Sequence, residues 1–350
     1  MEELIHNISV ALLSQDCKVY VFAPYVRGLD NKSDTPYKVL RYHRPTSRRY
    51  GVRQVLLPLL WNHIRYRFDI IHCHGVYPPG YIAASFRRIT GTPFVITPHG
   101  GDIKVTDNEI NGHILSRIRK TFASADAITA ISPSVRARVL NLGAPPEKTH
   151  IIPNGVFLHK SETGRNDHDE SEMPYILYIG RLAKIKGLDI LLQAFSIIYS
   201  RHPDVRLKIA GDGREKDSLH ALANKLGVLG RTDFIGTVRG DEKNALLQHA
   251  MFFACPKVLH NIGLANLEAL AAGLPVVTGM ADGVSDAIRN GENGFRVAPD
   301  NVEEMAEKLD LLLSDSALRK KMAKNARVSA MRYDWAVIAR EYMDIYNKLL

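Results

Sequence analysis

Apolar positions change period repeatedly along the first half of this chain, and each change marks an element. Leu4, Ile5, Ile8, Ala11 and Leu12 fall on one face at helical spacing and predict a helix over 2–16. Short apolar runs predict strands over 18–23, 37–42, 69–73, 93–97, 127–131 and 150–153. Between them, helical spacing recurs over 51–66, 80–89, 113–124 and 133–142. The strands are apolar throughout rather than alternating, as expected of a parallel sheet covered on both faces.

The pattern lapses between Phe157 and Pro174 into a polar, acidic stretch, the best domain boundary in the chain. It resumes with predicted strands over 175–179, 205–210, 233–235, 251–254, 275–278 and 294–297. Helices are predicted over 187–201, 214–226, 241–250, in the segment after Gly263, and through 302–350. The reading is therefore α/β, with a first domain over 1–156, a linker over 157–174, a second domain over 175–333 and a final helix from 334.

Composition narrows the class. At 350 residues, 45% hydrophobic and 24% charged, the chain can build two cores, and no apolar run approaches the ~18 residues needed to span a bilayer. The N-terminus lacks the basic start and apolar core of a signal peptide. Cys17, Cys73 and Cys255 are odd in number and far apart, so no disulfide framework or zinc site is suggested. These features place the chain in the cytosol.

The net charge of +9 is unevenly spread. Residues 1–160 hold 21 Lys/Arg against 11 Asp/Glu, a balance of +10, and residues 161–350 hold 25 against 26, a balance of −1. Arg41, Arg44, Arg48, Arg49 and Arg53 lie beside Tyr42, Tyr50, Leu56, Leu57, Leu59, Leu60 and Trp61. Basic residues next to an amphipathic segment fit an anionic membrane surface or an acidic acceptor. No nucleic-acid module accompanies the charge, so nucleic acid is not an expected partner.

Candidate chemistry gathers at strand ends. Gly263 opens a short helix whose apolar stripe is Leu264, Leu267, Leu270 and Ala271, closed by Gly273-Leu274-Pro275. A helix that starts at glycine offers free N–H groups at Gly263 and Leu264 to a phosphate. Glu268, the only charge in that helix, lies one turn further in, where a carboxylate can accept from a sugar diol. Gly180-Arg181-Leu182 and Lys186-Gly187 follow a strand and precede a helix, two cations suited to a diphosphate.

Other turns add less specific signals. His99 ends a first-domain strand beside Gly100, Gly101 and Asp102, at the sheet edge where α/β proteins bind ligands. His72 and His74 share a strand face and could also be read as metal ligands. Gly211, in Gly211-Asp212-Gly213, and Asn154, in Pro153-Asn154-Gly155, mark tight turns at further strand ends.

Around Glu268 the chain resembles the family 4 glycosyltransferases, retaining enzymes of the GT-B fold that use nucleotide sugars. Their signature is Glu-x7-Glu followed by Gly-x-Pro-Val-Val. Glu268 stands as the second acid, Gly273-Leu274-Pro275-Val276-Val277 matches, and His260 replaces the first acid. The resemblance implies two Rossmann-like domains facing a cleft, the last helix crossing back to the first domain.

It also implies a strand and a Gly-Gly loop ahead of the first helix. Neither is in the sequence, so either the coding start is expected upstream of Met1, the preferred reading, or the chain has been cut short there. For chemistry, the resemblance implies transfer of a hexose-type sugar from a UDP- or GDP-sugar to an acceptor hydroxyl with retention. That acceptor would belong to surface-polysaccharide or lipid-linked glycan assembly, with the enzyme peripheral at the membrane's inner face.

In that scheme Arg181 and Lys186 stabilise the leaving diphosphate, Gly263 and Leu264 meet the phosphate, and Glu268 meets the ribose. His99 holds the sugar, His260 alters donor preference, and Gly180, Gly211 and Asn154 shape the donor site. No Asp-x-Asp ends a strand, so no metal or other cofactor is expected. No hydrolytic carboxylate pair and no Gly-x-Ser-x-Gly elbow is recognisable. The rival readings are a non-catalytic nucleotide-sugar-binding relative and a GT-B sugar-nucleotide epimerase.

Overall fold

A computed structural model describes residues 2–25, 35–43, 51–103, 112–158, 173–257, 263–280 and 287–350. His260 lies outside the described residues, as do Arg44, Arg48 and Arg49. The chain divides into two units, one formed by Met1–Gly155 with Trp335–Leu350 and the other by Val156–Asp334.

In the first unit, helix α1 (Glu2–Leu13) precedes strands β1 (Tyr20–Pro24) and β2 (Lys38–Tyr42), which pair in parallel. Helix α2 (Gly51–Tyr66) leads into a four-stranded parallel sheet of β3 (Ile71–His74), β4 (Phe94–Thr97), β5 (Ala127–Ala130) and β6 (Thr149–Ile151), in that spatial order. Helices α3 (Tyr81–Thr90), α4 (Gly112–Ser124) and α5 (Pro133–Asn141) make the crossovers. Strands β4 and β5 are buried at every position, because helices cover the sheet and leave no solvated face. Ser132 caps α5 by accepting from the Val135 N–H at 3.2 Å, with Pro133 in the first turn.

The second unit is a six-stranded parallel sheet of β7 (Tyr175–Ile179), β8 (Arg206–Ala210), β9 (Thr232–Gly236), β10 (Phe252–Cys255), β11 (Val276–Gly279) and β12 (Gly294–Val297). Its spatial order is β12-β11-β10-β7-β8-β9, so the winding reverses between β7 and β10. Helices α6 (Leu188–Ile198), α7 (Lys216–Lys225), α8 (Gly240–His249), α9 (Leu264–Ala271), α10 (Val302–Ser314) and α11 (Ser316–Ala330) surround it. Leu188, Ile190, Leu191, Leu192, Ala194, Phe195 and Ile198 of α6 are buried, an apolar face wide enough to sit between the sheet and α10. Asn301 and Asp315 cap α10 and α11 by accepting from Glu304 and Leu318 N–H groups at 2.9 and 2.8 Å.

The chain then enters α12 (Trp335–Leu349), which belongs to the first unit. Its Tyr346 hydroxyl meets His72 Nδ1 at 2.6 Å, and Cys17 Sγ lies 3.2 Å from Met343 Sδ. The Trp335 indole is 1% exposed and packs on Gly155, where an added Cβ would come within 2.4 Å of the ring. The Asn154-Gly155 turn therefore needs glycine because an aromatic ring rests on it.

Candidate functional site

In an open parallel sheet, ligands bind beyond the carboxyl ends of the strands where the winding reverses, because the crossovers on either side part there. In the second unit that point lies between β7 and β10. Arg181 and Lys186 follow β7, Gly211 follows β8, and Gly263, Leu264 and Glu268 follow β10.

The turns after β7 and β8 are zipped together through their backbones. Gly180 N–H donates to the Ala210 carbonyl and Leu182 N–H to the Asp212 carbonyl, both at 2.9 Å. The fit leaves no room for side chains. A Cβ on Gly211 (φ +148°) would stand 1.9 Å from the Gly180 carbonyl oxygen, and one on Gly213 2.1 Å from that of Leu182. The Gly-Asp-Gly sequence is thus dictated by close backbone approach.

Arg181 is exposed and Lys186 half-buried, the latter ending a single 3-10 turn, Lys184–Lys186, that Gly187 closes in the left-handed region at φ 66°. Both cations act on groups at the ends of the two central strands. Burial raises the Tyr178 hydroxyl pKa, and the Arg181 guanidinium works against that rise. Burial likewise holds the Cys255 thiol up at about 11, against the pull of the Lys186 ammonium. Among the described residues neither Arg181 nor Lys186 forms an ion pair. Two unneutralised cations at a switch point suit a diphosphate.

Glu268 is different. It is half-buried in α9, and its Oε1 accepts from Lys243 Nζ at 2.8 Å, with the side chains 19% and 15% exposed. Lys243 comes from α8 and was missed in the sequence, where nothing ties it to a glutamate 25 positions later. Helix α9 itself begins at Gly263 (φ 72°) without a side-chain cap. Its first-turn N–H groups have no intrahelical acceptors, as at any helix start, and Gly263 and Leu264 are half-buried there.

In the first unit the strand-end histidines lie together, with the His72 and His74 ring centroids 4.5 Å apart. His72 Nε2 meets Thr97 Oγ1 at 2.7 Å, Thr97 Oγ1 meets Thr129 Oγ1 at 2.5 Å, and His74 Nδ1 meets His99 Nε2 at 3.1 Å. Asp102 fixes the loop, accepting from His99 N–H at 2.9 Å and Val76 N–H at 3.1 Å. Burial lowers the pKa of all three histidines, His72 to about 3, while Asp102 partly offsets the fall at His99. Neutral imidazoles follow, each able to donate at one nitrogen and accept at the other. Asn154 is half-buried after β6, in this same unit.

Among the described residues no three His, Cys, Asp or Glu side chains gather around a common point. His72 and His74, spaced like ligands on their strand, are bonded instead to Tyr346, Thr97 and His99.

Comparison with known proteins agrees with this architecture. Residues 160–329 match the family model of glycosyl transferases group 1, and residues 1–160 that of glycosyltransferase family 4. An uncharacterised glycosyltransferase of Methanocaldococcus jannaschii is 30% identical over 298 residues, 80% of this chain and 75% of that protein. The D-inositol 3-phosphate glycosyltransferase of Corynebacterium aurimucosum is 32% identical over 80% of this chain and 71% of its own length.

Among solved structures, HepE of Anabaena in complex with UDP superposes with a TM-score of 0.83 at 20% identity, covering 99% of this chain and 96% of that one. The chain belongs to the group 1 glycosyltransferases. Its fold is GT-B, two Rossmann-like domains built on parallel sheets.

Proposed function

We propose that the protein moves a hexose from a UDP- or GDP-sugar to an acceptor hydroxyl, with retention at the anomeric carbon. The observation that carries this is the pair of cations, Arg181 and Lys186, at the switch point of the second unit. Charge on the departing diphosphate grows in the transition state, so fixed cations there lower the barrier more than they tighten ground-state binding. This is the role a divalent metal takes in other transferases, and the proposed mechanism assigns it to the two side chains.

Gly263 and Leu264 N–H groups meet the phosphate, and Glu268, held by Lys243, accepts from the ribose. Gly180 and Gly211 let the backbone approach the nucleotide. His99 holds the sugar, neutral and able to donate. The leaving phosphate oxygen takes the acceptor's proton. The UDP bound by the Anabaena neighbour supports a uridine donor. Surface-polysaccharide or lipid-linked glycan assembly is the proposed setting, in keeping with the basic first half.

A panel of UDP- and GDP-hexoses tests the reading by thermal shift and by release of the nucleoside diphosphate with lipid and glycan acceptors. One donor is expected to raise the melting temperature and to yield product whose anomeric configuration, read by NMR, matches the donor. Absence of any shift and any release across the panel overturns it. His260, where the family carries an acid, favours one second reading: a relative that binds the donor without turning it over. A thermal shift without release identifies that case.

A further inference from the structure

The imidazoles of His72, His74 and His99 lie against one another with His74 in the middle. Its ring centroid is 4.5 Å from that of His72 at 30° and 5.4 Å from that of His99 at 22°. Backbone contacts hold the arrangement. His74 ends β3 opposite Thr97, the last residue of β4, and the N–H of Gly75 donates to the Thr97 carbonyl at 3.0 Å. Asp102 spans the two loops beyond, one carboxylate oxygen on the Val76 N–H and the other on the His99 N–H. The 3.1 Å contact between His74 Nδ1 and His99 Nε2 is therefore built in by both strand ends.

Three packed cations would repel one another, and burial disfavours charge further, so each ring is neutral and carries one N–H. Two neutral ring nitrogens at hydrogen-bond distance then hold one proton between them, one donating and the other accepting. His72 takes no part, because Tyr346 and Thr97 occupy both of its nitrogens. Among the described residues neither the His74 nor the His99 ring makes a second hydrogen bond. That leaves His74 as the side chain placed to decide the tautomer of His99. Because Nε2 of His99 is taken, Nδ1 is the nitrogen left for a ligand.

We propose that His74 is the positioning residue for His99: its Nδ1–H donates to His99 Nε2 and holds His99 in the Nδ1–H tautomer. The placement of Asp102 favours this direction. Its carboxylate sits on the His99 main-chain N–H, and along the side chain Nδ1 is one bond nearer that N–H than Nε2 is, so the negative charge favours a proton on Nδ1. The opposite arrangement would leave His99 with only a lone pair to offer. What the tautomer is for rests on the sugar contact assigned to His99 above. His74 adds the reason that His99 can donate there.

The test begins with the full chain carrying nitrogen-15-labelled histidine, without nucleotide and at neutral pH. Two-bond nitrogen–proton correlation spectra separate protonated from bare ring nitrogens, and the His74→Asn and His99→Ala chains assign the signals. Expected are a protonated Nδ1 and a bare Nε2 on His99, with His74 protonated at Nδ1. In His74→Leu, which cannot donate, His99 should shift towards the Nε2–H tautomer. In His74→Asn, whose amide nitrogen falls close to the position of Nδ1, it should stay as in the parent. A His99 protonated at Nε2 in the parent chain, or unchanged His99 signals in His74→Leu, overturns the proposal.

Kinetics with whichever donor the hexose panel identifies give a second readout. His74→Leu should lower kcat/KM by about tenfold, the size of one lost hydrogen bond, and His74→Asn should recover most of it. His99→Ala should be equally slow with and without His74→Leu, because His74 acts only through His99. Losses that multiply overturn the proposal. The two readings fail separately: a parent chain that turns over no donor sinks the sugar-transfer reading, while the ring nitrogens still decide what His74 does to His99.

Discussion

A carboxylate proposed to meet a sugar diol has to be held still, and Glu268 is held by Lys243 at 2.8 Å with both side chains mostly out of water. Replacing Lys243 by Met removes that partner and leaves a half-buried charge. The expected cost is about 1–2 kcal/mol in denaturant unfolding and about a tenfold rise in donor KM with a smaller change in kcat. Lys243→Arg should restore much of the KM, which a purely structural defect would not. In the proposed mechanism Arg181 and Lys186 act later on the reaction path. Arg181→Ala and Lys186→Ala should each cut kcat/KM by about 100-fold, mainly in kcat, because the diphosphate charge is largest as it departs. Steady-state kinetics at saturating donor separates the two patterns. Near-normal transfer by either alanine variant removes the role assigned to that cation.

At the scale of elements, the turns after β7 and β8 behave as one piece, since their carbonyls and N–H groups interlock. Gly211→Ala puts a methyl against the Gly180 carbonyl oxygen, 1.9 Å away before relaxation, at a φ that L-residues avoid. The expected result is a loss of about 2–3 kcal/mol in unfolding free energy and weaker UDP binding by calorimetry. An unchanged midpoint would show that the two turns can part freely.

In the first unit, β3, β4, β5 and α12 share the network running from Tyr346 through His72 and Thr97 to Thr129. Its histidine is neutral when folded, with a pKa of about 3 against an ordinary 6.5. Between those values the unfolded chain binds the extra proton, so stability is full above about pH 6.5 and falls as the pH drops towards 3. At pH 5 the loss from His72 should be on the order of 1–2 kcal/mol. Denaturant unfolding at pH 7.5 and 5 checks it, and His72→Gln should remove the His72 share of the difference while leaving that of His74 and His99, which burial lowers too.

For the whole molecule, most strands and helices were legible because each answers to its own residues. The run Tyr175–Ile179 is apolar at every position and bounded by Pro174 and Gly180, and it forms β7 over those five residues. Helix α2 was equally plain over Gly51–Tyr66, but which of its sides packs inward was not. A helix apolar on two opposite faces does not declare which side a core will take, and only packing against Phe86 and Ile82 leaves Trp61 outside.

Partnerships across long separations were the least visible. Lys243 with Glu268 and His72 with Tyr346, the latter 274 positions apart, depend on how elements stack rather than on any local pattern. Gly155 shows the same limit. Its dipeptide reads as a hinge, and what demands glycine there is an indole from α12.

The return of the chain to its first unit through Trp335 has a consequence for how the protein folds. Val156–Asp334 is one uninterrupted stretch, complete in sequence before Trp335 begins α12. The second unit can therefore close without α12, while the first waits for Trp335 to cover Gly155 and for Tyr346 to reach His72. Until then the strand ends bearing those histidines lack their aromatic cover, and a chain truncated before Trp335 should be cut by protease in its first half while its second half resists.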